Sequence, residues 1–147
     1  MAVTVAAYGP MMQSLVNGEI DFDTDTIKVM LCASGYTPNQ DSHRYKSSVT
    51  NEVTGTGYTA GGATLASKAV TYNASTNTLT LDAADPQWPS STITARYAVF
   101  YKDSGTAGTS PLLCYWDFGA DVISSGTSFN IQLAAQGILT LVTPTAA

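Results

Sequence analysis

Asp21, Asp23 and Asp25 alternate along five residues, the spacing of the first three oxygen ligands of a calcium loop. The match stops there. Thr26 stands where such a loop needs its turn glycine and Cys32 where it needs a bidentate glutamate, so the segment reads as a solvated link and no metal is assigned. Gly57-Tyr58-Thr59-Ala60-Gly61-Gly62-Ala63-Thr64 approximates a phosphate-cradling loop, but Ala63 occupies the place of the lysine and no helical pattern follows. Gly55-Thr56-Gly57 would need a third glycine at Ala60 to bind a dinucleotide. His43 is the only imidazole, flanked by Asp41 and Arg44 in an open polar stretch without a nucleophile elbow, and it reads as an exposed loop residue. Asp82 and Asp85 are a carboxylate pair of the kind glycosidases use, yet that chemistry needs a shaped sugar cleft that so small a chain can scarcely build. Cys32 and Cys114 have neither metal-ligand nor redox-motif spacing and are expected to be reduced structural thiols. No catalytic, cofactor-binding or metal residue is therefore assigned, and the chain is expected not to be an enzyme.

Contact chemistry is more plausible than bond-making chemistry. Tyr36, Tyr45 and Tyr58 fall in a long polar stretch, 34–62, where they either form a binding surface or cover a small core of the loop itself. Val3 and Val5 alternate in a short uncharged segment, and Met11, Met12 and Leu15 recur at helical spacing soon after. These eight residues are the candidate partner contacts.

The elements that must position them are mostly strands. Residues 1–9 are expected to form a strand or N-terminal arm, able to add to an exposed edge of a neighbouring subunit. Gly9 and Pro10 stop that segment, Pro10 preorganises one short helix, and Asn17-Gly18 ends it. Ile27-Lys28-Val29-Met30-Leu31-Cys32 is a strand with Ile27, Val29 and Leu31 on one face. After the 34–62 excursion, strands are expected at Ala66 to Tyr72 and Thr78 to Asp82, joined by a turn through Asn73-Ala74-Ser75. Asp85 to Pro89 breaks the pattern. The longest strand then runs from Ile93 to Tyr101, with Ile93, Ala95, Tyr97, Val99 and Tyr101 expected on one face. Leu112 to Phe118, Phe129 to Leu133 and Ile138 to Val142 complete seven or eight strands, with a loop between Phe118 and Phe129. The expected fold is all-β: one antiparallel β-sandwich or β-barrel-like domain over 1–147 with one short N-terminal helix.

Composition narrows the partners. Charged residues are only 12% of 147, and Ser plus Thr make up roughly a quarter, which suits pleated sheets and excludes coiled coils and charge-driven disorder. Six basic against eleven acidic residues, a net charge of -5, lack the footprint of a nucleic-acid binder. No apolar run approaches the ~18 residues needed to span a bilayer, so neither nucleic acid nor membrane is an expected partner.

Leu15 to Leu31, with its Asn17-Gly18-Glu19-Ile20-Asp21-Phe22-Asp23-Thr24-Asp25 centre, resembles the opening of a family of small virion proteins of tailed bacteriophages. Gly55 to Leu65, Trp88-Pro89, Thr92 to Val99 and Asp117-Phe118-Gly119 extend the resemblance over most of the chain. It implies a structural protein made in the host bacterial cytoplasm and built into the virion. A capsid decoration or cement protein is the first expectation, binding the major capsid protein at capsomer junctions as a homo-oligomer, most simply a trimer. A tail, baseplate or fibre-associated subunit with host-surface contact is the alternative. The family is non-enzymatic, so no catalytic residues carry over.

Overall fold

The computed structural model describes residues 3–133 and 135–146, and two antiparallel sheets dominate it. The strands are β1 (Thr4–Ala7), β2 (Ile27–Cys32), β3 (Ala63–Thr64), β4 (Ala69–Asn73), β5 (Thr78–Asp82), β6 (Gln87–Lys102), β7 (Leu112–Asn130) and β8 (Leu139–Val142). One helix, α1 (Pro10–Val16), follows β1. The five-stranded sheet has the order β1-β7-β6-β2-β3, and the three-stranded sheet β4-β5-β8. The all-β, sandwich-like expectation with one short N-terminal helix is what the chain adopts.

Both faces of the larger sheet are covered. Ile27, Val29 and Leu31 of β2 join Phe100, Trp116, Leu81 and Leu139 in the main core, which unites the two sheets and the buried Met11 of α1. Met30 and Cys32, on the opposite face, join Tyr8, Tyr36, Val99, Tyr101 and Leu112 in a second core. A strand buried on both faces reads as a continuous apolar run, which is why Met30 to Cys32 interrupts the alternation of β2.

The single face expected for β6 is corrected. Ile93 and Ala95 belong to the main core, but so do Ala98 and Phe100, whereas Val99 and Tyr101 belong to the second core with Tyr97 packed against it. The parity flips because Ala95 pairs with Val122 and Tyr97 with Asp117, leaving Arg96 opposite the four residues Phe118 to Asp121. Such a bulge moves every later side chain to the other face. The loop expected between Phe118 and Phe129 is also corrected, since it is strand: β7 runs unbroken past it, with Val122 to Thr127 paired to β6. Its Gly and Ser residues signal turns in sequence, but here they serve an exposed ladder, with Gly119 and Gly126 at positive φ.

Pro10 opens α1 at a position whose missing N–H costs nothing, and Gly18, at φ 72°, closes it. The helix buries Met11 and Ser14 while Met12 and Val16 remain exposed. Burying Met11 contributes roughly 1.5–3 kcal/mol.

Candidate functional site

Residues 1–9 are not a free arm. Thr4 to Ala7 pair with Asp117 to Cys114 as an edge of the larger sheet, and Tyr8 N–H donates to the Leu113 carbonyl at 3.0 Å. Met1 and Ala2 lie outside the described residues. Among the described residues no strand pairs with the outer edge of β1, and Val3 (43%), Val5 (37%) and Met12 (52%) are among the exposed large apolar side chains. Val3 borders an apolar cavity of about 310 Å³ lined also by Trp116, Phe118, Val122, Phe129 and Ile131.

The walls of that cavity are held by β7. Trp116 lies in the main core and its Nε1–H donates to the Ile138 carbonyl at 2.9 Å, tying the larger sheet to the start of β8. Phe118 packs against Phe129 at 6.2 Å between ring centroids, and Phe129 meets Trp88 edge-on at 5.9 Å. The bulge that aims Phe118 is pinned by Arg96, whose Nε and Nη2 reach the two Asp117 carboxylate oxygens at 2.6 and 3.3 Å. Gly119 N–H also donates to Asp117 at 2.8 Å. The Arg96 guanidinium, chiefly, holds the Asp117 carboxyl below the usual carboxylate range, and Asp117 in turn raises Arg96. These lining residues escape a sequence reading because Val122 and Phe129 flank a stretch that looks like loop.

The remaining candidate contacts divide. Met11 and Tyr36 are corrected from surface to core: both are 1% exposed. Tyr36 bridges Tyr8 Oη at 2.8 Å and His43 Nδ1 at 3.0 Å, so His43 is a half-buried hydrogen-bond partner and not the free loop residue expected. Burial raises the Tyr36 hydroxyl to about 12 and pushes Tyr8 higher still. Tyr58 is half-buried, donating to Glu52 Oε1 at 2.7 Å and accepting the Leu31 N–H at 3.0 Å, which fastens the long loop to β2. Tyr45 is half-buried, with the Arg44 guanidinium 5.1 Å from its ring centroid, and Leu15 packs against the main core. The loop therefore spends Tyr36 and Tyr58 on its own attachment, and Val3, Val5 and Met12 are the candidates left facing solvent.

The motifs that resemble chemical sites have structural uses. Asp25 Oδ2 accepts the Asp21 N–H at 2.7 Å, and Asp21 Oδ1 accepts from Thr24 N–H at 3.3 Å, closing a turn. Among the described residues no group of three His, Cys, Asp or Glu side chains could hold a metal ion. Gly62 sits at φ 79° where a Cβ would overlap the Val29 carbonyl, so the glycine block packs a loop closely onto β2. Cys32 and Cys114 are free and buried, and burial, with a smaller effect of Glu52, raises the Cys32 thiol to about 12. A second cavity, about 430 Å³, lies among Glu52, Thr54, Thr92, Thr94, Ile123 and Ser124 and has no aromatic wall. No helix among the described residues is long and apolar enough to cross a membrane. No family model, curated protein or solved structure matches the chain.

Proposed function

We propose that this chain is a structural protein of a tailed-phage virion, a capsid decoration or cement protein that binds the major capsid protein at capsomer junctions as a homotrimer. The observation that carries the reading is the exposed apolar N-terminal surface. Val5 lies on the open edge strand β1, Val3 just before it lines a cavity walled by Trp116, Phe118 and Phe129, and α1 leaves Met12 exposed. The low charge and the resemblance of the Leu15 to Leu31 and Gly55 to Leu65 blocks support it as well. An open edge offers backbone pairing, valines give apolar contact, and methionine adapts to an irregular partner.

Cementing requires no chemistry. A protein that binds the assembled shell and not its separated subunits stabilises the shell by mass action, and many copies sum small interfaces into a large effect. With only six basic residues the attachment depends weakly on salt.

Particles stripped of the protein and mixed with purified chain provide the test. The Val5→Lys/Met12→Lys variant should fold as the wild type does, yet bind at least about tenfold more weakly. Normal binding by the folded variant overturns the anchoring surface. A copy number of a dozen or fewer per particle replaces the decoration assignment with a tail or fibre station.

A further inference from the structure

Among the described residues four strand edges bound the two sheets. β3 is two residues long, β8 is four residues and runs into Pro144, and β1, four residues long, is the edge assigned above to the capsid partner. Short edges and prolines are the usual protections against unwanted strand pairing. β4, at five residues, is the longest of the four, and no proline stands in it or beside it. Ala69-Val70-Thr71-Tyr72-Asn73 is uncharged, free of proline and exposed at every residue, and among the described residues no strand pairs with its outer side.

We propose that β4 is a self-pairing edge, binding β4 of a second copy of this chain antiparallel about a twofold axis at Thr71. The register is self-complementary. Val70 and Tyr72 share a face with their β5 partners Leu81 and Leu79, and pairing about Thr71 sets each Val70 opposite the Tyr72 of the other copy. Aromatic and β-branched residues directly opposite one another are favourable cross-strand pairs. Thr71 meets Thr71 on the other face, and Ala69 meets Asn73.

Electrostatics permits this pairing despite the net charge of -5 that each copy carries. No ionised side chain lies within β4. The next cation along the chain, Lys68, is turned away, its ammonium donating to the Asp25 carbonyl. Tyr72 is 54% exposed and Val70 39%, so the apolar face of the smaller sheet continues beyond its core. Tyr72 Oη donates to Asn77 Oδ1 at 3.1 Å, which fixes the ring on that face before any partner arrives. Five residues a side make a contact below the roughly 1,200 Å² of a stable interface, so the pairing is weak in solution and strengthens where copies are crowded. It is independent of the virion assignment, because it concerns two copies of the free chain.

Sedimentation velocity of the full chain from about 5 µM to about 1 mM tests it. The wild type should show a concentration-dependent doubling of mass over whatever unit it forms when dilute. Thr71→Lys and Thr71→Glu each place two like charges face to face and should each weaken the doubling at least about tenfold while the circular dichroism is unchanged. A one-to-one mixture of the two variants sets lysine opposite glutamate and should restore it. The proposal is overturned by a wild type that never doubles, by charged variants that double as the wild type does, or by a mixture that fails to recover.

Discussion

Tyr36→Phe removes one hydroxyl and leaves its ring in place, still edge-on to Tyr97 at 5.8 Å and stacked with His43 at 5.8 Å between centroids. The lost oxygen lies 2.8 Å from Tyr8 Oη and 3.0 Å from His43 Nδ1. Tyr8 is 0% exposed and its hydroxyl has no other partner among the described residues, so the substitution strands a buried polar group. Stranding one costs about 1–3 kcal/mol, whereas removing both members of a pair is close to neutral. Tyr36→Phe should therefore destabilise the chain by about 1–3 kcal/mol, a fall in Tm of roughly 3–10 °C for a domain of this size. Tyr8→Phe should cost less, because Tyr36 keeps His43. The double variant should be more stable than Tyr36→Phe alone. Thermal and urea melts of the four proteins complete the cycle. Additive losses, or a Tyr36→Phe protein as stable as the wild type, would show that the two hydroxyls are not a coupled buried pair.

Alkali should unfold the chain through the same layer. Burial raises Tyr36 and Cys32 to about 12 from ordinary values of 10.0 and 9.0, so their contribution is whole below the ordinary values and is lost as pH rises through the raised ones. A Tm that is the same at about pH 7 and about pH 11.5 contradicts this. Asp117 has the opposite sign: its lowered pKa gives stability that is lost as pH falls, so Asp117→Asn should cost about 1 kcal/mol at neutral pH and progressively less as pH falls below the ordinary aspartate range. An undiminished cost in acid would assign the loss to packing and not to charge. Gly62→Ala should cost about 3 kcal/mol or more, because its Cβ would overlap the Val29 carbonyl, while Gly105→Ala, at φ 86° in open space, should cost about 1 kcal/mol. Equal melting temperatures for the two variants would refute the steric argument.

The elements legible in the sequence are those set by their own residues. β2 and β5 fall on Ile27–Cys32 and Thr78–Asp82 as alternation and flanking turns predict, and α1 begins at Pro10 and stops before Gly18. What escapes is set by a partner. The extra residues of β7 opposite Arg96 reverse the face of β6, and nothing in Ile93 to Tyr101 encodes how many residues will oppose it across the sheet. The stretch from Gly119 to Ser128 has the composition of a loop and the pairing of a strand for the same reason.

The candidate surface divides along that line. Val5 and Met12 lie in short elements, Val3 just precedes β1, and all three are exposed, whereas Tyr36 and Tyr58 have the composition of a binding loop but are buried and half-buried. Their fate depends on β2 being apolar on both faces. Met30 and Cys32 need a cover, which the 34–62 excursion supplies with Tyr36 and Val49, while its Tyr58 packs against the main core, and the two tyrosine hydroxyls find Tyr8, His43 and Glu52. A polar loop following a strand with no polar face is thus a signal of a second core layer. Phe118 and Phe129, by contrast, are buried in the main core with Val122 packed against it, and these few inward side chains are all that separates the exposed half of β7 from the loop that its Gly, Ser and Thr suggest.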